Sequence, residues 1–134
     1  QFNGEVVFEG IIDCSEKCLA NGIPVGLGTD TGCPFITHYD MWRELVYFHK
    51  YCGVSNKFAL YTATKRNAEI AHIDNITGTV EPGKCADLIV TDANPIDDLK
   101  TLRNVKMVMA RGHLIREPKV KKYENVEREL DKFL

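Results

Sequence analysis

The segment Ile23-Pro24-Val25-Gly26-Leu27-Gly28 restricts the fold more than any other stretch of this chain. It has the length of a strand but no apolar–polar alternation, which suits a strand covered on both faces, as in a parallel sheet. Such a strand needs sheet neighbours. Pro24 and the two glycines are poor residues for an ordinary central strand, so this one belongs where something packs close to its backbone. The run then breaks into Gly28-Thr29-Asp30-Thr31-Gly32-Cys33-Pro34, which reads as a loop at the strand's C-terminal end.

Helices surround this run. Residues 1–4 read as a loose lead-in. From Phe8 to Leu19, the residues Phe8, Ile11, Ile12, Cys18 and Leu19 recur at helical spacing, with Glu9, Asp13, Glu16 and Lys17 on the other faces. Asn21-Gly22 stops that helix. Thr37-His38-Tyr39-Asp40 has the form of a capping box, with Asp in place of Glu or Gln. The helix behind it presents Met41, Trp42, Leu45, Phe48, His49 and Cys52 on one face and ends at Gly53. Ser55 caps a further helix carrying Phe58, Ala59 and Ala63, and Thr64 starts another turn or two through Ala71. This half is α/β in character.

After His72 the pattern becomes one of short strands. Thr77–Lys84 predicts a strand and then a turn, with Pro82-Gly83 fitting the centre of a type II turn. Ala86–Thr91 predicts a strand, and Asp92–Lys100 a polar loop around Asn94-Pro95. Val105–Ala110 and His113–Arg116 flank Arg111-Gly112 as a hairpin. From Pro118 to Leu134, Tyr123, Val126, Leu130 and Phe133 mark an amphipathic helix whose charges read as a solvated face.

At 134 residues the chain has the size of one ordinary domain, and 44% apolar residues are enough to build a core. Its 17 basic and 19 acidic residues leave a net charge of −2, which argues against a nucleic-acid partner. No run approaches the ~18 apolar residues of a membrane span, so no membrane partner is expected. No basic segment followed by an apolar stretch marks a signal peptide. The chain begins at Gln1 rather than Met, so a leader further upstream is left open. Cys14, Cys18, Cys33, Cys52 and Cys85 are odd in number. They read as reduced thiols, mostly small core residues, in a reducing compartment such as the cytoplasm.

Asp30 is the residue most suggestive of chemistry. It follows an apolar strand and sits between glycines at the end where α/β folds bind ligands. An acid there binds a metal, acts as a base, or caps a turn or helix, and the residues alone leave these alternatives open. Gly26-x-Gly28-x-x-x-Gly32 lacks dinucleotide-loop spacing, and no G-K-[ST] phosphate loop is present. His38, His49, His72 and His113 form no H-x-H or H-E-x-x-H pair. His49 reads as packed on its helix's apolar face, His72 as a helix-end residue and His113 as exposed. His38 alone lies near the Asp30 loop, either as a plain helix-start residue or as a substrate contact.

Three segments, taken in order, carry a family resemblance. Gly22-Ile23-Pro24-Val25-Gly26-Leu27-Gly28-Thr29-Asp30 resembles the last barrel strand of the metal-dependent amidohydrolase superfamily. Thr62-Ala63-Thr64-x-x-x-Ala68-Glu69 resembles the helix pair after that strand. Gly78-Thr79-Val80-Glu81-Pro82-Gly83-Lys84-Cys85-Ala86-Asp87-Leu88-Ile89-Val90 resembles the return into the small β-domain beside the barrel, and is the most specific of the three. The resemblance spans roughly residues 8–116 and is nearest to the imidazolonepropionase-like branch, which includes Xaa-Pro dipeptidase and carboxypeptidase-type members. The segment around Lys119 and the final helix fall outside it.

The resemblance implies a (β/α)8 barrel holding one or two divalent metals, usually zinc, on an H-x-H pair, two later histidines and often a carboxylated lysine. The family's last-strand Asp falls on Asp30. It implies a metal ligand there that also helps to position and deprotonate the attacking water and to move a proton to the leaving amine. His38 is the candidate substrate-binding residue. This chain has no H-x-H, and a barrel needs ~200 residues or more. The implied architecture is therefore the C-terminal portion of a TIM barrel. Residues 1–75 would be the last barrel helix, strand and trailing helices. Residues 76–116 would be part of the composite β-sandwich domain, and residues 117–134 a C-terminal amphipathic helix. The parent enzyme is expected to cleave C–N bonds (amide, peptide or cyclic amide) with metal-activated water. Its expected partners are a small-molecule or peptide substrate, the missing N-terminal portion and further copies of itself. This piece alone is expected to be inactive and to hold no stoichiometric metal. The alternatives are a stand-alone, non-catalytic β-rich assembly module, and a deaminase of the same superfamily.

Overall fold

The computed structural model describes residues 3–134. Of the expected lead-in, Gln1 and Phe2 lie outside the described residues, and Gly4 is already helical. Helix α1 runs Gly4–Ala20, because the Asn3 side chain accepts from the Glu5 N–H at 3.2 Å and starts it before the apolar pattern begins. Asn21 and Gly22, the latter at φ 70°, end it as expected. Phe8 meets Tyr51 edge to face, with ring centroids 5.0 Å apart.

Residues 23–28 lie in no helix and pair with no strand; the neighbours the sequence reading requires for them are not among the described residues. The pattern encodes an extended conformation only; a ladder also needs a neighbour, and this chain supplies none there. Helix α2 runs Met41–Cys52 and stops at Gly53, at φ 66°. Its start corrects the capping box. The N-cap is Asp40, Thr37 Oγ1 donates to Asp40 Oδ2 at 2.6 Å, and no side chain closes the first turn. The Asp40 carboxylate is instead held by Trp42 Nε1 at 3.1 Å and Arg43 Nε at 3.2 Å. His49 is likewise not in the core: it is exposed, with Nδ1 2.6 Å from the Val54 carbonyl oxygen.

Ser55 Oγ accepts from the Phe58 N–H and caps α3, Asn56–Tyr61. The helical path continues through a π turn, Thr62–Arg66, into α4, Asn67–Ile70. The core gathers Trp42, Leu45, Val46 and Phe48 of α2 with Ala59 of α3 and with Leu99. Leu99 opens a 3-10 turn, Leu99–Arg103, inside the expected polar loop; Asp98 caps it by accepting from the Lys100 N–H at 2.8 Å.

Strands β1 (Leu88–Val90), β2 (Met107–Ala110) and β3 (His113–Arg116) form an antiparallel sheet in that order. Ala110 pairs with His113 across Arg111 at φ 48° and Gly112 at φ 81°, the two left-handed residues that a type I′ hairpin demands. The Lys84 N–H donates to the Glu81 carbonyl and Gly83 has φ 89°, as the type II turn requires. The expected strand before that turn is absent. The Thr77 N–H is bonded back to the Ile73 carbonyl, and Gly78 at φ 94° turns the chain.

The tail corrects two further expectations. Helix α5 is only Glu124–Leu130, followed by a 3-10 turn Asp131–Phe133. Its inward residue is Glu127, while Tyr123 and Phe133 are exposed, because two arginines of the body draw the acids inward. All five cysteines are free, but none is buried. Among the described residues no helix is long and apolar enough to cross a membrane.

Candidate functional site

Asp30 stands at the end of the extended apolar segment, exposed, at φ 51°. That left-handed conformation is uncommon for any residue but glycine, and Asp is among the few that tolerate it. Its neighbours Thr29 and Thr31 share a hydrogen bond between their hydroxyls. The loop then closes through the Ile36 N–H on the Cys33 carbonyl and the Asp40 N–H on the Thr37 carbonyl. His38 is exposed on this same loop. His49, His72 and His113 lie on other elements and are exposed. Among the described residues no group of three or more His, Cys, Asp or Glu side chains is placed to hold a metal ion. Asp30 is a single donor, so the described residues do not by themselves fit a metal.

Residues that the sequence reading missed hold this region in place. Asn67, at the start of α4, reaches the extended segment: its Oδ1 accepts from the Leu27 N–H at 2.9 Å and its Nδ2 donates to the Leu27 carbonyl at 2.8 Å. The signal available in the sequence was Gly26, since a Cβ there would stand 2.8 Å from Asn67 Oδ1. The α2 end of the loop is held by a buried ion cluster. Arg43 lies 3.2 Å from Asp40, 3.2 Å from Glu127 and 2.8 Å from Asp131. Arg103 reaches Glu127 at 2.8 Å and Asp131 at 2.9 Å. Both guanidiniums lie over the Trp42 ring, at 4.5 and 5.3 Å from its centroid. The Tyr39 hydroxyl, beside His38, accepts from the Tyr123 N–H at 2.9 Å, so the tail also ties down the loop.

Two apolar clefts are open. One, of about 730 Å³, lies between α4, the Thr77–Val80 segment and β1. The other, of about 360 Å³, flanks the extended segment between α1 and α2, against Phe8, Val25, Leu27, Tyr47 and Tyr51. Neither is lined by Asp30 or His38. The strand residues Leu88, Ile89, Val90, Leu114 and Ile115 are exposed as well.

Residues 5–115 match the amidohydrolase family, and the chain belongs to it. That family generally uses divalent metals. The chain is 47% identical over 88 residues to the imidazolonepropionase of Picrophilus torridus, covering 66% of this chain and 21% of that protein. It is 39% identical over 89 residues to the 5-methylthioadenosine/S-adenosylhomocysteine deaminase of Dictyoglomus thermophilum, covering 59% of this chain and 20% of that protein. The crystal structure of a candidate prolidase from Bifidobacterium longum superposes with a TM-score of 0.87 at 40% identity, covering 90% of this chain and 30% of that one. The fold is therefore of the TIM-barrel type. The chain spans about a fifth of the curated relatives it matches and less than a third of that structure.

Proposed function

We propose that this chain is the C-terminal portion of a (β/α)8 amidohydrolase that cleaves C–N bonds in a peptide, amide or cyclic amide, with Xaa-Pro dipeptides the first substrates to assay. In this reading residues 1–75 supply the last barrel helix, strand and trailing helices. Residues 76–116 supply part of the β-sandwich domain, and residues 117–134 a C-terminal helix. The partial coverage of these relatives, the unpaired apolar segment at 23–28 and the uncovered sheet face support it. The same exposed apolar faces favour association with the missing portion and with further copies.

The single observation that carries the activity is Asp30, an exposed carboxylate in a constrained turn at the C-terminal end of the strand-like run, where barrel enzymes place their chemistry. Asp30 takes a proton from the attacking water and delivers it to the leaving amine nitrogen, so the amine departs neutral. His38, exposed on the same loop, contacts the substrate. Divalent-metal dependence, with zinc as the ion and Asp30 as one ligand, belongs to the full-length protein. Catalytic zinc sites use about three protein ligands, so the isolated chain is inactive in this reading. Free cysteines throughout accord with a reducing compartment such as the cytoplasm.

The test is Asp30→Asn in the full-length protein. It keeps the size of the side chain and removes the proton acceptor. The expected result is a kcat lower by at least ~10²-fold with an unchanged melting temperature. Activity that survives while stability drops by ~1 kcal/mol makes Asp30 a turn residue. The likeness to a deaminase favours a second reading, hydrolytic deamination of a nucleoside. Ammonia release from 5-methylthioadenosine, against proline release from Xaa-Pro dipeptides, separates the two.

A further inference from the structure

We infer that Asn67 is a positioning residue for the reaction proposed above: by clamping both backbone polar groups of Leu27, it sets the direction in which the Gly28-Thr29-Asp30 turn leaves the strand-like run. The inference rests on Asp30 carrying the chemistry. The clamp is two-pronged, with the amide oxygen taking the Leu27 N–H at 2.9 Å and the amide nitrogen donating to the Leu27 carbonyl at 2.8 Å. A residue of a neighbouring strand would make the same pair of bonds, so one side chain here substitutes for a length of sheet. The amide fits in one orientation only. Reversed, it would set its NH2 against an N–H and its oxygen against a carbonyl oxygen.

Three features of the chain converge on this contact. The Asn67 main-chain N–H is shared between the Thr62 carbonyl, five residues back through the π turn, and the Thr64 carbonyl, and bypasses Ala63. Such a turn inserts one residue and rotates the downstream residues about the helix axis, and π turns are frequent at functional sites. The Asn67 Nδ2 also lies 3.5 Å from the Ala63 carbonyl oxygen that its own N–H bypasses. On the opposite wall, a Cβ at Gly26 would stand 2.8 Å from Asn67 Oδ1 and 3.2 Å from Ile70 Cδ1. Gly26 therefore admits the amide, which accounts for a glycine in the middle of an extended run. The N–H and C=O of one residue point to the same edge of an extended chain, and those of its neighbours to the other. Asn67 thus closes one edge at Leu27 and leaves the polar groups of Gly26 and Gly28 facing the opposite edge. Asp30 follows three residues on. Releasing Leu27 lets the root of that turn rotate, and a ~1 Å displacement of a reacting group costs ~10²-fold in rate.

The test uses the full-length protein, Xaa-Pro dipeptide kinetics and amide hydrogen exchange at Leu27. Asn67→Ala is expected to lower kcat by ~10–10²-fold while KM stays within about twofold, and to abolish protection of the Leu27 amide. Gly26→Ala, which pushes a methyl into the amide, is expected to reproduce the kcat loss. The double variant is expected to be no slower than Asn67→Ala, since both act through one contact. If Asn67→Ala does not fold, Gly26→Ala and its Leu27 exchange decide the matter. Asn67→Ala with kcat within about threefold of the parent, or kcat losses that multiply in the double variant, overturns the inference and leaves the proposed activity standing. Full activity of Asp30→Asn removes the proposed activity and this positioning role together, even if Leu27 loses its protection.

Discussion

Replacing Arg43 with alanine is expected to cost about 3–5 kcal/mol of folding stability, the usual price of removing one partner from a buried ion pair. The magnitude follows from the surroundings of the side chain, which is 3% exposed. Its nitrogens lie within 3.2 Å of carboxylate oxygens of Asp40, Glu127 and Asp131, and its Cζ lies 4.5 Å from the centroid of the Trp42 ring. These contacts are ion pairs more than well-aligned hydrogen bonds, since none of the three guanidinium nitrogens makes one of good geometry. Without Arg43, the buried Asp40 and Glu127 and the partly exposed Asp131 share only Arg103, which touches two of them. The surviving carboxylates then carry the desolvation penalty with too little opposing charge. In a full-length protein several times this length each kcal/mol is worth no more than about 2 °C, so the melting temperature falls by up to about 6–10 °C. Urea and thermal denaturation of the full-length protein, followed by circular dichroism, measure it. The control is Lys132→Ala, whose pair with Glu129 is 60% and 46% exposed and should be worth no more than ~0.5 kcal/mol. Arg43→Lys keeps the charge but loses the forked reach, and should fall between the two. If Arg43→Ala costs no more than ~1 kcal/mol beyond the control, the cluster behaves as a surface pair and the burial argument fails.

The same cluster sets an acid limit. Burial pushes the Asp131 carboxyl up, but the hydrogen bond from Arg103 and the close positive charge of Arg43 outweigh it and hold the group below the ordinary carboxylate value of 3.8. A depressed folded-state value gives stability that is present above the unfolded carboxylate range and is lost as pH falls through the folded value. Melting temperature should therefore decline below about pH 4, with a shallower decline for Asp131→Asn; superimposable pH profiles would contradict this. Gly78→Ala should cost about 1–3 kcal/mol, because φ is 94° and the new Cβ would meet the Ala68 Cβ at 2.5 Å. Gly10→Ala, with nothing within 4 Å, should stabilise α1 by about 0.5–1 kcal/mol, and equal melting temperatures for the two would refute the packing argument. Asp87 accepts from the Arg111 N–H at 2.7 Å and the Thr77 hydroxyl at 2.9 Å. Asp87→Ala should therefore speed amide exchange at Arg111 and leave α2 unaffected.

The sequence by itself determined what depends on interactions within a few residues. The ends of α1 and α2 at Asn21 and Gly53, the Ser55 cap, the Pro82-Gly83 turn and the Arg111-Gly112 hairpin all stand where residue types placed them. Asp30 was also readable, as an acid closing an apolar run in a family motif. Its left-handed backbone and the Asn67 clamp behind it were not, because a bond between Leu27 and Asn67 has no local trace beyond a glycine at position 26. The apolar run of strand length at 23–28 was legible, whereas its pairing was not, because a ladder belongs to two segments at once. The Thr37 capping box failed because a tryptophan and an arginine compete for the Asp40 carboxylate. The tail failed for a related reason. Spacing placed Tyr123 and Phe133 inward, but the charge of Arg43, buried on a distant helix, draws Glu127 in instead. Periodicity ranks side chains by their affinity for water, and only the tertiary structure decides which acid meets a cation that has already lost its water.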